Sequence, residues 1–587
     1  MDQNKHMAEL LTPEGELLLT GGACVPWSEY PRPHMQRESY LCLNGAWDYA
    51  ETKKGETPVY NEKILVPFVP QSRLSGLCRH VDQSKTLCYR RTFALAEKFM
   101  GGRVLLHVDA ADQVAAVTLN GVEMGVHYGG YDRFSFDVTE AVRDGENLLE
   151  IRVRDALDEK ILPYGKQRER RGGMWYTPIS GIWQTVWIEC VPNEYIREVK
   201  TLSNATGVDL SVEMSMGAGN GEVILHLDGG DQAFAIEGGH ARIEIPDPVY
   251  WSPEHPHLYR MTVRVGEDRV RSYFAMRTVD VREVGGIRRL CLNGKPYFFH
   301  GLLDQGYFPD GIFLPASPNG FERDILAAKK FGFNMLRKHI KVEPELFYYA
   351  CDRLGIIVFQ DMVNNGDYSF LRDTALPTVG LKRLSDRRLH RDSETRAAFL
   401  SGMEKTVRQL SHHPCVCYWT IFNEGWGQFD HAAAYKRLRA LDPTRIIDAV
   451  SGWFEPRHEA DLHSDVKSLH IYFKPVRIPA SEKPLVLSEF GGYSYRVEGH
   501  IFNLKKNYGY RTFTDQASFE DALEKLYENE VLPAIGGGLC AAVYTQLSDV
   551  EDETNGLLTY DRRVEKADAR RMREIATRLY GAIDQRA

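Results

Sequence analysis

Two stretches of the chain deliver a glutamate in the same way. CVCYWTIFNEGW (415–426) carries a mostly apolar, strand-length run into Asn423 and Glu424, and PLVLSEFGG (484–492) carries a shorter one into Glu489. A carboxyl pair held at the ends of buried strands can cleave a glycosidic bond. One member protonates the leaving oxygen, the other attacks the anomeric carbon, and a separation of about 5 to 5.5 Å gives retention of configuration. Asn423 is placed to bond the hydroxyl beside the anomeric centre, while Trp426 and Phe490 can exclude water nearby. Position alone equally allows both glutamates to be rim carboxylates in salt bridges.

Polar residues that close other apolar runs are candidate sugar contacts: Asp304 and Gln305, then Arg337, Lys338 and His339, then Asp361, and finally His470 and Tyr472. Each could instead make a structural hydrogen bond. In RKHIK, Arg337, His339 and Lys341 alternate with Lys338 and Ile340 and so take opposite faces of an extended segment. A cation of that run turned to the site would bind the carboxylate of a uronate sugar. Turned the other way, Arg337 would only buttress the glutamates.

The elements that must position these residues follow from periodicity. After Gly285, eight strand-length apolar runs (297–304, 334–340, 356–362, 415–424, 446–452, 468–473, 484–490 and 541–549) alternate with helical stretches such as FERDILAAKKFG, EPELFYYACDRLG and ETRAAFLSGMEKTVRQLSHH. That pattern predicts a (β/α)₈ TIM barrel over 284–587, with its active site at the C-terminal strand ends. Glu424 then closes the fourth run and Glu489 the seventh, nearly opposite one another around the mouth.

From about residue 40 to 194 the sequence reads instead as short alternating runs broken by turn dipeptides such as Asn120-Gly121 and Asp144-Gly145, which predicts an antiparallel β-sandwich in a first domain over 1–194. Residues 195–283 repeat that theme more compactly, as an immunoglobulin-like sandwich. The segment RRGGMWYTPISGIW (170–183) is expected to reach the barrel mouth, where Trp175 and Tyr176 either stack on an aglycone or fill the sandwich core.

Composition narrows the class of function. A chain of 587 residues, 43% hydrophobic and 26% charged, is folded and multidomain rather than disordered or fibrous. Its 81 acidic against 72 basic residues argue against a nucleic-acid partner. No run is long enough to span a membrane and no export signal is visible, so a cytoplasmic protein is expected. Cys291, Cys351, Cys415, Cys417 and Cys540 lie in apolar runs and read as core thiols of a reducing compartment. Neither a phosphate-cradling G-x-x-x-x-G-K-[ST] nor a strand-linked G-x-G-x-x-G occurs, and no cluster demands a metal, so no cofactor is expected. The expected partner is a small-molecule or oligosaccharide β-glycoside, and self-association into a homo-oligomer is compatible with such domains.

CVCYWTIFNEGW and PLVLSEFGG resemble the acid/base and nucleophile motifs of glycoside hydrolase family 2, the family of β-galactosidases and β-glucuronidases. YDRFSFDVTEAVRDGENLLEIRV (131–153) is similar to its N-terminal sugar-binding jelly roll, WSPEHPHLYRMTV (251–263) to its immunoglobulin-like domain, and LCLNGKPYFFHGLLDQG (290–306) to its lead into the barrel. The resemblance implies a retaining exo-β-glycosidase. In it Glu424 is the general acid/base, Glu489 the nucleophile, Asn423 the partner of the sugar 2-hydroxyl and Tyr544 either the aromatic platform beneath the ring or a residue of the barrel core. The two glutamates then need unequal pKa values, Glu424 raised and Glu489 ionised.

The family's β-glucuronidases read the sugar carboxylate with Asn-x-Lys, where this chain has Glu553, Thr554 and Asn555 and lacks the cation. Its Leu303, Asp304, Gln305 and Gly306 also depart from the family's Asn-x-His-Glu type sequence. A β-galacturonide or related hexuronide is the expected substrate. A neutral β-galactoside or β-glucoside, a transglycosylase using the same intermediate, and a non-catalytic carbohydrate-binding protein are the alternatives.

Overall fold

The computed structural model describes residues 7–22, 25–204, 206–378 and 386–584. The first six residues, on which part of the export-signal reading rests, lie outside them.

The N-terminal region is a sandwich of a four-stranded and a six-stranded antiparallel sheet. Asn120 and Gly121, at φ 52° and 83°, join Val114–Leu119 to Val122–Tyr128. Positive φ at both central positions is what a tight hairpin matching the strand twist requires. Inward-facing Trp47, Tyr49, Tyr89 and Ile151 build this core. A smaller sandwich follows, with three strands packed on four and a core of Val208, Val223, Met261 and Val263.

The third region is a parallel eight-stranded barrel. Its strands are β1 (Phe299–Asp304), β2 (Met335–Lys338), β3 (Ile357–Asp361), β4 (Val416–Asn423), β5 (Ile446–Ser451), β6 (Lys467–Ile471), β7 (Leu485–Gly491) and β8 (Leu539–Thr545). Their order is 5-4-3-2-1-8-7-6, so the sheet runs almost fully around. All eight strands fall within or beside the expected runs. Strands such as β4 and β8 read as nearly unbroken apolar stretches because the barrel interior packs one face and the helices cover the other, whereas β2 and β6 carry charged residues.

Asn319–Lys330, Glu345–Leu354 and Ser393–Leu410 are helices where the periodicity places them. Cys415 and Cys417 are buried in the wall at β4 and unbridged, as are Cys291, Cys351 and Cys540. Among the described residues, no helix is long and apolar enough to cross a membrane.

Candidate active site

The site is built at the C-terminal ends of β4, β6 and β7. β4 stops at Asn423, and Glu424 takes φ 49°, with Gly425 after it at 73°. A glutamate in the left-handed region costs about 1 to 3 kcal/mol and persists only where neighbours fix it. Here the Glu424 N–H donates to the Ser451 carbonyl (2.9 Å), and the Trp426 N–H to the Asn423 carbonyl (2.9 Å). Glu489 sits within β7, opposite His470 in the β6–β7 ladder just past a register shift.

That pairing brings the glutamates together. His470 Nδ1 lies 3.0 Å from Glu424 Oε1 and 3.5 Å from Glu489 Oε2, and one carboxylate oxygen of each glutamate lies within 4.8 Å of the other. The far nitrogen of His470 is 3.0 Å from the Ser451 hydroxyl. A side chain on Gly452 would press to 2.7 Å of the His470 ring, so glycine at this position leaves room for the imidazole.

The two carboxyls have unlike surroundings. Glu489 Oε1 accepts from Arg337 (3.2 Å) and Oε2 from the Tyr472 hydroxyl (2.7 Å), whereas Glu424 meets His470 and is the more exposed, 14% of its side chain against 7%. Burial alone would push Glu489 toward its neutral form. The charges of His470 and Arg337 outweigh burial and hold its carboxyl well below the ordinary range.

Arg337 is the hub of this arrangement. Its Nε donates to Asp361 (2.9 Å), one terminal nitrogen to Glu489 and the Ser488 carbonyl (2.9 Å), and the other to Asn423 Oδ1 (2.8 Å). The last bond occupies the Asn423 carbonyl and leaves its amide nitrogen as the donor for a ligand. Asp361 also holds His339 at 2.8 Å. Burial and the nearby Lys166 charge push His339 down to about 4, so that ring is neutral.

The sequence candidates therefore divide. Glu424, Glu489, Asn423, His470 and Tyr472 converge. Arg337, Asp361 and His339 lie directly behind them, and the Arg337 guanidinium, buried, spends four of its five N–H donors there. Lys338 faces away, paired with Asp304 (2.5 Å) and Glu343 (2.9 Å), so neither Lys338 nor Asp304 is a sugar contact. Gln305 donates to Gln546 (2.8 Å), which in turn donates to Glu553 and Asn555.

Tyr544 differs from expectation. Its hydroxyl accepts the Tyr493 N–H (3.2 Å), and its ring is sealed against Phe490 and Tyr527 in the wall. Strand residues alternate between faces, and it is Thr545 whose hydroxyl meets Tyr472 at 2.9 Å.

Residues outside the candidate set complete the mouth. Tyr510 stacks on Tyr472 at 3.7 Å. The loop of the first sandwich does reach the barrel, with Trp175 stacked on Trp426 at 5.2 Å and the Tyr176 hydroxyl donating to Glu553 (2.6 Å). Lys166 on the same loop was missed because the segment singled out in the sequence begins at Arg170, four residues too late.

Among the described residues, two groups of metal-ligating types bring their atoms within 4.8 Å of one another: Glu424, His470 and Glu489, and, at the junction of sandwich and barrel, His34, Glu345 and His412. In the second, Arg133 (2.8 Å) and His34 (2.9 Å) both pair with Glu345, which makes it an ion-pair knot between domains.

The comparisons agree with this architecture. Residues 283–519 match the model for the glycosyl hydrolases family 2 TIM barrel domain, 59–178 the glycosyl hydrolase 2 galactose-binding domain-like model, and 193–277 a third, glycosyl hydrolases family 2. The chain belongs to glycoside hydrolase family 2. A β-galactosidase of Thermoanaerobacter pseudethanolicus is 22% identical over 472 residues, which are 75% of this chain but 58% of that relative, so this family 2 chain spans little more than half its length. Among solved structures, a β-glucuronidase of an uncultured Clostridium sp. superposes with a TM-score of 0.71 at 19% identity, covering 92% of this chain and 98% of that one. A family 2 β-galacturonidase of Eisenbergiella tayi, bound to glycerol, gives 0.67 at 18% identity, with 93% and 97% covered.

Proposed function

We propose that the protein is a retaining exo-β-glycosidase in which Glu489 is the nucleophile and Glu424 the general acid/base. The observation that carries this reading is the pair of carboxylate oxygens within 4.8 Å of one another, with the guanidinium on Glu489 and not on Glu424. In the first step Glu489 attacks the anomeric carbon as Glu424 gives its proton to the leaving oxygen, forming a glycosyl ester. In the second, Glu424 takes a proton from water, which displaces Glu489 and restores both groups. Closely spaced carboxylates leave no room for water between them and sugar, which supports retention over inversion.

Tyr472 orients the nucleophile through its hydrogen bond, and a bond to a charged acceptor is worth about 1.5 to 3 kcal/mol. Tyr472→Phe is therefore expected to lower kcat/KM by about 10- to 100-fold with little change in melting temperature. A value within twofold of wild type would remove Tyr472 from this role.

For the glycone we propose a β-hexuronide, a β-D-galacturonide first. The likeness to proteins named β-glucuronidase and β-galacturonidase supports an acidic sugar. A neutral β-galactoside or β-glucoside is the second reading, favoured by the internal ion pairs of Arg337, Lys338 and Lys341. A panel of 4-nitrophenyl β-glycosides (galacturonide, glucuronide, galactoside, glucoside, fucoside, mannoside) separates them. The uronides are expected to lead in kcat/KM, and a neutral sugar in front would overturn the hexuronide reading. Transfer products at high acceptor concentration would mark a transglycosylase.

A further inference from the structure

We infer that Lys166, contributed by the N-terminal sandwich rather than by the barrel, is the cation that binds the carboxylate of the glycone. This rests on the hexuronide reading above.

Lys166 is seated by backbone contacts. The N–H groups of Tyr164 and Gly165 donate to the Asn364 carbonyl after β3, and the Lys166 carbonyl accepts from the Tyr176 N–H (3.0 Å). Gly165, at φ 68°, would bring a side chain within 2.9 Å of the Ile340 carbonyl, so only a glycine lets the loop lie this close to the end of β2. The residue that follows it is thereby held at the rim of the barrel.

The chemistry of Lys166 is unsatisfied there. It is only 7% exposed, yet among the described residues no carboxylate pairs with it and no acceptor takes a hydrogen bond from its ammonium. By contrast, Lys338, Lys341 and Lys566, buried in the same barrel, each pair with a carboxylate. No carboxylate touches this ammonium, although its field reaches the Glu553 carboxyl, and the faces of Tyr176 and Trp426 stand 5.4 and 5.7 Å from it. An arriving carboxylate would supply the missing partner.

Its surroundings place that partner on the glycone. Trp426 is two residues beyond Glu424, and Tyr176 donates to Glu553 after β8. The Lys166 charge is felt at His339, whose partner Asp361 also holds the guanidinium on Glu489. Lys166 therefore stands at the rim between Trp426, just past the end of β4, and Tyr176, whose hydroxyl reaches Glu553 after β8. Glu553 beside it is pulled two ways, burial raising its carboxyl and the Lys166 charge and the Tyr176 hydroxyl lowering it.

The test uses the full-length enzyme and its Lys166→Met and Lys166→Gln variants, assayed on 4-nitrophenyl β-D-galacturonide and β-D-galactoside. Both variants are expected to lose about 100-fold in kcat/KM on the galacturonide, mostly through KM, and to stay within about threefold on the galactoside. Calorimetric titration with D-galacturonate should lose affinity in parallel, while Lys166→Arg recovers part of it. Galacturonide turnover within threefold of wild type in either folded variant overturns the role of Lys166 and leaves the hexuronide reading standing. Equal losses on both sugars overturn it as well, since Lys166 would then only hold the loop. A wild-type enzyme that cleaves the galactoside and no uronide overturns the hexuronide reading first, and this inference with it.

Discussion

Glu489→Gln is expected to lower kcat/KM on the best aryl β-glycoside by about 10⁴- to 10⁶-fold, the range found when a covalent nucleophile is lost. The substitution is nearly isosteric. The amide oxygen can still accept from Arg337 or Tyr472, so folding should survive while the anion that attacks the anomeric carbon is gone. Circular dichroism and melting temperature close to wild type, with turnover lost, would meet the expectation. A second variant identifies the chemistry. Glu489→Ala should regain turnover in sodium azide and release an α-glycosyl azide, because the small anion enters from the face the carboxylate occupied. A β-azide would reassign the nucleophile, and retention of more than a tenth of wild-type activity in Glu489→Gln would sink the two-glutamate mechanism.

Arg337→Met tests the hub and should show two effects at once. Removing one partner of a buried ion pair costs about 3 to 5 kcal/mol, and here Asp361 and Asn423 lose the same guanidinium. The melting transition of the barrel is expected to fall accordingly. The pH profile should change in a definite direction. The folded-state pKa of Glu489 is lowered, so its ionised form contributes stability that is present above the ordinary glutamate value and lost as pH falls through the depressed one. Without the guanidinium that depression shrinks. The acidic limb of kcat/KM should therefore move to higher pH, toward neutrality. A lower melting temperature with an unmoved acidic limb would make Arg337 a structural brace only.

Much of this protein was legible in its residues because the physics was local. Parallel barrel strands are buried on both faces, so CVCYWTIF and PLVLS read as continuous apolar runs, and a polar residue ending such a run falls at the mouth. Asn120-Gly121 announced its hairpin because few other residues tolerate two successive positive φ angles. Glu424, Asn423 and Glu489 were visible on the same grounds.

Which face each strand turns to the site was not legible, because a shift of one residue turns every side chain of a strand over. Register shifts in the β6–β7 and β7–β8 ladders set His470 opposite Glu489 and seal Tyr544 in the wall while Thr545 meets the site. In β2 the same alternation gives Arg337 to the glutamates and Lys338 to Asp304. Pairing likewise had to wait for the tertiary structure, since a sequence shows that a cation exists but not which anion reaches it.

Sequence by itself determined the three domains' types, the barrel and the strand-end positions of the two glutamates, since each rests on periodicity within a short window. Only the tertiary structure decided which buried lysine is left without a carboxylate in contact. Lys166 stands more than 250 residues before Glu424 and belongs to another domain, and no local pattern relates them. Their proximity is created when the loop around Gly165 docks on the end of β2, a contact between distant backbones that exists only once both domains have folded.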